Sequence, residues 1–180
     1  HTHSTFSADG ETPLSGMLAR AQELGIAYYG IAEHFDYDYL ADGILPEGKT
    51  VPMIDASAYF SEVRRLQESY AGRMHVLAGG EFGYTSNPAA HRMYQETIAR
   101  FSPDFVVNSV HSVNGKDAWF SEYFAGKTRE EAYRTYLEKV RESLDAPYPY
   151  DIVAHIGYVS RNAPYSDNLL HYADFPDLFD

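Results

Sequence analysis

The residues of this chain best suited to chemistry are a small set of histidines and carboxylates in repeated positions. His1-Thr2-His3 sets two imidazoles one residue apart. On an extended segment such side chains point the same way, as metal ligands do. Asp9 follows in Ser7-Ala8-Asp9-Gly10, and His34, Glu81, His111 and His155 each stand where an apolar, strand-like run gives way to a loop. There is no cysteine, so a metal site must be built from nitrogen and oxygen ligands. Imidazole and carboxylate suit zinc, manganese or iron, and a carboxylate can bridge two ions where imidazole does not, which makes Glu81 the natural bridge. Two to three divalent ions so held would perform metal-assisted hydrolysis.

Each motif has a plainer reading. An N-terminal His-x-His is also what an expression tag leaves behind, and Asp9-Gly10 is also an ordinary turn. His34, His111 and His155, taken singly, would more often pack or cap. Their joint placement at equivalent strand ends favours the metal reading. His75 at a strand start, His91 in a helix and His171 in the tail read as structural, and Tyr28, Tyr29, Phe105 and Trp119 as core or pocket wall. Arg161 lies six residues beyond His155, and is either a phosphate fork or a surface arginine. Asp36, Tyr84, Asn87, Ser112 and Lys116 follow strand ends closely enough to line a pocket.

The elements that must position these residues alternate. Thr12-Pro13 reads as a helix start, with Leu14, Met17, Leu18, Ala21 and Leu24 at helical spacing up to Gly25. Residues 26–32 form a short apolar strand ending at Glu33-His34, followed by a polar loop with Gly43, Pro46, Gly48 and Pro52. Asp55 caps a helix to about Tyr70, and residues 75–80 make a strand ending at Glu81. A helix over 88–100 and a strand over 104–110, ending at His111, come next. Thr128 with Glu131 makes a capping box for a helix through about Leu144, and residues 150–154 form a strand ending at His155. The last 20 residues remain unassigned. This alternation predicts one α/β domain with a parallel sheet, in which side chains at the C-terminal strand ends converge on one face as they do in a (β/α) barrel.

Composition narrows the function classes. A chain of 180 residues, 44% apolar, can bury a core, and no stretch is long and apolar enough to span a bilayer. No signal-peptide pattern is present, so a cytoplasmic protein is expected. A net charge of −12 has the wrong sign for holding nucleic acid by its phosphates. A small phosphorylated metabolite would be repelled too, unless bound cations invert the local potential. There is no Gly-x-Ser-x-Gly elbow, Gly-x-x-x-x-Gly-Lys loop or Gly-x-Gly-x-x-Gly fingerprint.

His1-Thr2-His3, Ser7-Ala8-Asp9-Gly10, Glu33-His34, Gly80-Glu81 and Ser109-Val110-His111-Ser112 resemble the PHP (polymerase and histidinol phosphatase) superfamily over nearly the whole chain. The stretches 123–133 and 152–159 resemble its histidinol-phosphate phosphatase branch. The resemblance implies a distorted (β/α)7 TIM-like barrel with a trinuclear metal site that hydrolyses L-histidinol phosphate to L-histidinol and phosphate in histidine biosynthesis. It also implies that His1, His3 and Glu81 hold one metal, that Glu81 bridges to a second held by His111 and His155, and that Asp9 and His34 hold a third. Arg161 matches the basic residue on the substrate phosphate. Two departures stand out: Gly157 replaces the usual Asp, and the family's closing Asp-x-His motif does not occur before Asp180. These residues are therefore expected to be part of a longer domain, lacking the start of the first strand and the C-terminal strands. Two alternatives are a phosphoesterase for another small ester and a non-catalytic metal-binding module.

Overall fold

The computed structural model describes residues 1–44 and 53–179. Four parallel strands form its sheet, β1 (Tyr28–Phe35), β2 (His75–Gly83), β3 (Phe105–Ser109) and β6 (Ile152–Val153), in the order β1-β2-β3-β6. α1 (Leu14–Glu23) precedes β1, and between the strands run α2 (Tyr37–Asp42), α3 (Ala56–Tyr70), α4 (Pro88–Phe101), a two-stranded hairpin β4 (Ser112–Val113) and β5 (Lys116–Asp117), α5 (Ser121–Phe124) and α6 (Arg129–Ser143). A short α7 (Pro176–Phe179) follows β6. The expected α/β architecture with a parallel sheet is present; among the described residues the sheet is open. No helix among the described residues is long and apolar enough to cross a membrane.

Local chemistry accounts for most boundaries. The Asp55 carboxylate accepts from the Ala58 N–H at 2.9 Å and starts α3, and Thr128 and Glu131 make the expected capping box on α6. Asn87 caps α4 ahead of Pro88. At α1 the reading needs correction: Pro13, not Thr12, occupies the cap position, and no side chain caps it. The polar loop expected after His34 is helical over α2, while Pro46, Gly48 and Pro52 lie outside the described residues.

The sheet has two unlike faces because alternate side chains point to opposite sides. Ile31, Phe35, Ala78, Phe82 and Val106 pack into the main core with Leu18, Tyr59, Phe60, Val63 and Tyr94 from the helices. Each such aliphatic side chain contributes up to about 1.5–3 kcal/mol on burial. Tyrosine hydroxyls tie this core to the strands. Tyr59 donates to the carbonyls of Ile31 and Gly79, and Tyr94 to those of Phe35 and Gly83. The opposite face carries a smaller cluster of Ala32, Val107 and Ala154 with Phe105 against it. Phe105 lies so close that a Cβ on Gly79 would stand 2.3 Å from its ring. His34, Glu81 and Ser109 continue this second face toward the C-terminal strand ends.

Candidate metal centre

Parallel register brings the ligands together. His34 on β1 is paired with Glu81 on β2, and Glu81 with Val107 on β3, two residues before Ser109. The N-terminal segment runs along the free edge of β1, where the Ala32 N–H donates to the Thr2 carbonyl at 3.2 Å, and this delivers His1 and His3 to the same place. At the far side Ala154 N–H donates to the Asn108 carbonyl, and His155 then turns out of the strand with φ +24°. That sparsely populated backbone region is a local strain held by its surroundings.

Glu81 is completely buried and lies at the centre. Its Oε2 is 2.9 Å from His34 Nδ1, 3.1 Å from His1 Nε2 and 3.4 Å from His3 Nε2. Its Oε1 is 2.8 Å from His155 Nε2 and 3.2 Å from His111 Nε2, and accepts from Ser109 Oγ at 2.6 Å. Asp9 Oδ2 is 3.5 Å from His34 Nε2, and Asp36 Oδ1 is 3.7 Å from His34 Nδ1. Three groups of potential ligand atoms converge closely enough to share an ion: His1, Glu81 and His155; His3, Asp9 and His34; and His34, Asp36 and His111.

The donor set fits a cation. Glu81 Oε2 and His34 Nδ1 are buried and close, yet neither makes a properly directed hydrogen bond. Buried polar atoms are otherwise almost always satisfied, so lone pairs aimed at common space suit a metal ion. The same crowding of charges acts on the protons of these groups. Burial alone would hold Glu81 protonated, but His111, His155 and His34 around it carry its carboxyl well below the usual range. Burial depresses His34, yet its contacts with Asp9 and Glu81 outweigh this and push it up to about 11. His111 is likewise raised to about 8, the Glu81 charge overcoming burial. Burial and the neighbouring His34 lower His3 to about 4, leaving it a neutral ligand.

All seven sequence-derived ligands, His1, His3, Asp9, His34, Glu81, His111 and His155, meet in this cluster. His1 Nε2, His3 Nε2 and Glu81 Oε2 lie within 3.4 Å of one another, Glu81 Oε1 faces His111 and His155, and Asp9 faces His34, on which His3 stacks at 4.0 Å. Arg161 is exposed and stands outside the ligand cluster. Its guanidinium sits 5.7 Å from the Trp119 ring, which leads through Tyr158 to His155 and His111, and among the described residues it forms no ion pair. Gly157 has room for a side chain, since a Cβ there would meet only Ser160 Oγ at 3.9 Å.

Asp36 joins a ligand group, while Tyr84 is buried with its hydroxyl on Glu142, and Lys116 is exposed on β5. Ser112 and Asn87 line an open polar cavity of about 710 Å³ with Thr85, Asn114 and Lys139. His75, His91 and His171 stay outside the cluster: His75 stacks on Tyr28, His91 contacts the Thr85 carbonyl, and His171 lies 3.6 Å from Asp167. Tyr28 is not core or pocket wall, being 67% exposed at the opposite end of the sheet. Sequence reasoning missed Ser109 and Glu33 as supports; that Ser109 precedes His111 by two residues on a strand, and so shares its face, was the available signal.

Several known proteins are similar to this chain. A probable histidinol-phosphatase of Clostridium acetobutylicum is 24% identical over 180 residues, covering 100% of this chain and 65% of the relative. A histidinol-phosphatase of Lactococcus lactis is 28% identical over 97% of this chain and 61% of its own length. The chain thus spans less than two thirds of these relatives. The crystal structure of the L. lactis histidinol phosphate phosphatase, complexed with zinc, L-histidinol and phosphate, superposes with a TM-score of 0.85 at 27% identity, over 99% of this chain and 64% of that one. A putative histidinol phosphatase from Listeria monocytogenes shares the fold, at TM-score 0.67 and 23% identity over 81% of this chain and 60% of its own. The model of the PHP domain family matches residues 1–179, and the chain belongs to that family.

Proposed function

We propose that the Glu81 cluster holds two to three divalent cations, zinc, manganese or iron, and that the protein hydrolyses L-histidinol phosphate to L-histidinol and phosphate. The observation that carries this reading is one buried carboxylate whose two oxygens lie within 3.4 Å of five imidazoles. Glu81 would then be the shared ligand, with His1 and His3 beside one ion, His111 and His155 beside a second, and Asp9 and His34 holding a third. The bound zinc, L-histidinol and phosphate of the L. lactis relative support the metal and substrate class. The parallel sheet is read as part of a distorted (β/α)7 barrel, whose strand-end face would be the active face.

Bound cations would supply Lewis-acid stabilisation of phosphoryl charge and acidify water. The chain's own residues supply the rest. Ser109 holds Glu81 in place through its 2.6 Å hydrogen bond. Arg161 forks onto the phosphoryl oxygens, and its charge offsets part of the −12 that would otherwise repel the ester. Tyr158, beside both His111 and His155, walls that side against water, and Asp117 fixes it by accepting its hydroxyl at 3.1 Å. The test is phosphate release by metal-stripped, zinc-reconstituted full-length protein on a panel of phosphate monoesters. Histidinol phosphate should exceed generic esters by more than roughly tenfold in kcat/KM. Equal turnover of all esters would refute the substrate assignment.

A further inference from the structure

We propose that Glu33 is a positioning residue for the metal centre, a buried carboxylate outside the ligand cluster that clamps the segment carrying His1, His3 and Asp9 onto β1. The inference rests on the reading that the cluster binds cations, and it concerns how one side of that cluster is held. Glu33 is completely buried on the sheet face opposite His34. Among the described residues it forms no ion pair, an arrangement that is costly unless hydrogen bonds replace the lost water. Those bonds all come from one short turn. Oε1 accepts from Ser4 Oγ at 2.6 Å and Ser4 N at 3.1 Å, and Oε2 accepts from Ser7 Oγ at 2.6 Å and Ser4 N at 3.0 Å.

Ser7 passes the constraint to the ligands. Its hydroxyl, while donating to Glu33, accepts from the His34 backbone N–H at 2.9 Å and lies 3.4 Å from His3 Nδ1. One carboxylate–hydroxyl pair therefore fixes the backbone of His34, the ring of His3 and the turn that leads to Asp9. The turn is otherwise tightly folded, with Ser7 N–H on the Ser4 carbonyl and Gly10 N–H on the Ser7 carbonyl. A Cβ on Gly10 would stand 1.8 Å from the Ser4 carbonyl oxygen. The segment has a single packed path, and Glu33 is the anchor beneath it.

This assignment predicts a selective effect, because His111 and His155 reach the cluster from β3 and β6 and share nothing with the clamp. The experiment is zinc titration of the full-length protein against a chromophoric chelator for wild type, Glu33→Ala, Glu33→Gln and Ser7→Ala, with hydrogen exchange followed alongside. In Glu33→Ala at least one tight ion should bind roughly 10- to 100-fold more weakly while another keeps its wild-type affinity. Exchange should quicken over residues 4–10 alone. Glu33→Gln, which keeps the shape but turns one acceptor into a donor, should fall between Ala and wild type. If every ion keeps its affinity, or all weaken together with a lowered Tm, the assignment is overturned. Should Glu33→Ala fail to fold, Ser7→Ala is held to the same two readouts. A wild-type protein that binds no zinc overturns the metal reading itself, and this inference with it.

Discussion

Stripped of metal, the protein should lose stability as pH rises above 8, and His34 should be the reason. In the unfolded chain an imidazole releases its proton near the ordinary 6.5, whereas folded His34 keeps it to about 11 through Asp9 and Glu81, which outweigh the effect of burial. Below 6.5 both states hold the proton and the stabilisation is fully present; between the two values only the folded state holds it, so stability falls with rising pH. His111, raised to about 8, shares the lower part of that range, and unfolded tyrosines begin to titrate near 10. The window from about pH 8 to 9.5 therefore isolates His34. One proton held only by the folded state gives a slope of about 1.4 kcal/mol per pH unit, or about 2 kcal/mol across the window. Urea unfolding of chelator-stripped protein should show this loss in the wild type and a flat profile in His34→Gln. Zinc should abolish the loss, since the ion replaces the proton. Parallel profiles for the two stripped proteins would refute the reasoning.

Two further outcomes follow from the same geometry. On the proposed role of Arg161 as the phosphate fork, Arg161→Ala touches no ligand, so kcat/KM on histidinol phosphate should fall roughly 10- to 100-fold with metal content unchanged. Steady-state kinetics with elemental analysis check both halves. Asp38 is fully buried in α2 with an unpartnered Oδ1, and burial pushes its carboxyl up to about 7 against the opposing pull of His111. Folded protein then keeps a proton that the unfolded chain gives up near 3.8, and stability declines as pH rises from 4 to 7. Asp38→Asn should lack that decline and be about 4 kcal/mol more stable than wild type at pH 8, measured by denaturant unfolding.

Much of the site was legible because parallel strands packed under a helical layer write themselves as short apolar runs, and strand ends mark where side chains can converge. His34, Glu81, His111 and His155 were readable that way, although His34 and Glu81 lie inside their ladders, since pairing continues past the apolar run. The stacking of His3 on His34 was not legible. Spacing puts His1 and His3 on one side of an extended segment but leaves ring rotation free, and packing decides which rings meet. Nor was α2, where Tyr37–Asp42 carries too few residues for a helical period and is held instead by tertiary bonds, such as Tyr39 on Asp117. Glu33 was read only as the residue before a ligand, because a buried carboxylate satisfied by serines leaves no mark in composition.

Elemental analysis of full-length protein after zinc reconstitution, wild type beside Glu81→Gln, tests the central claim most directly. A carboxylate bridging two of the ions on the reading above should give two to three zinc equivalents per chain in the wild type and fewer in the variant, with the fold retained. No bound zinc in the wild type, or equal zinc in both proteins, would contradict it.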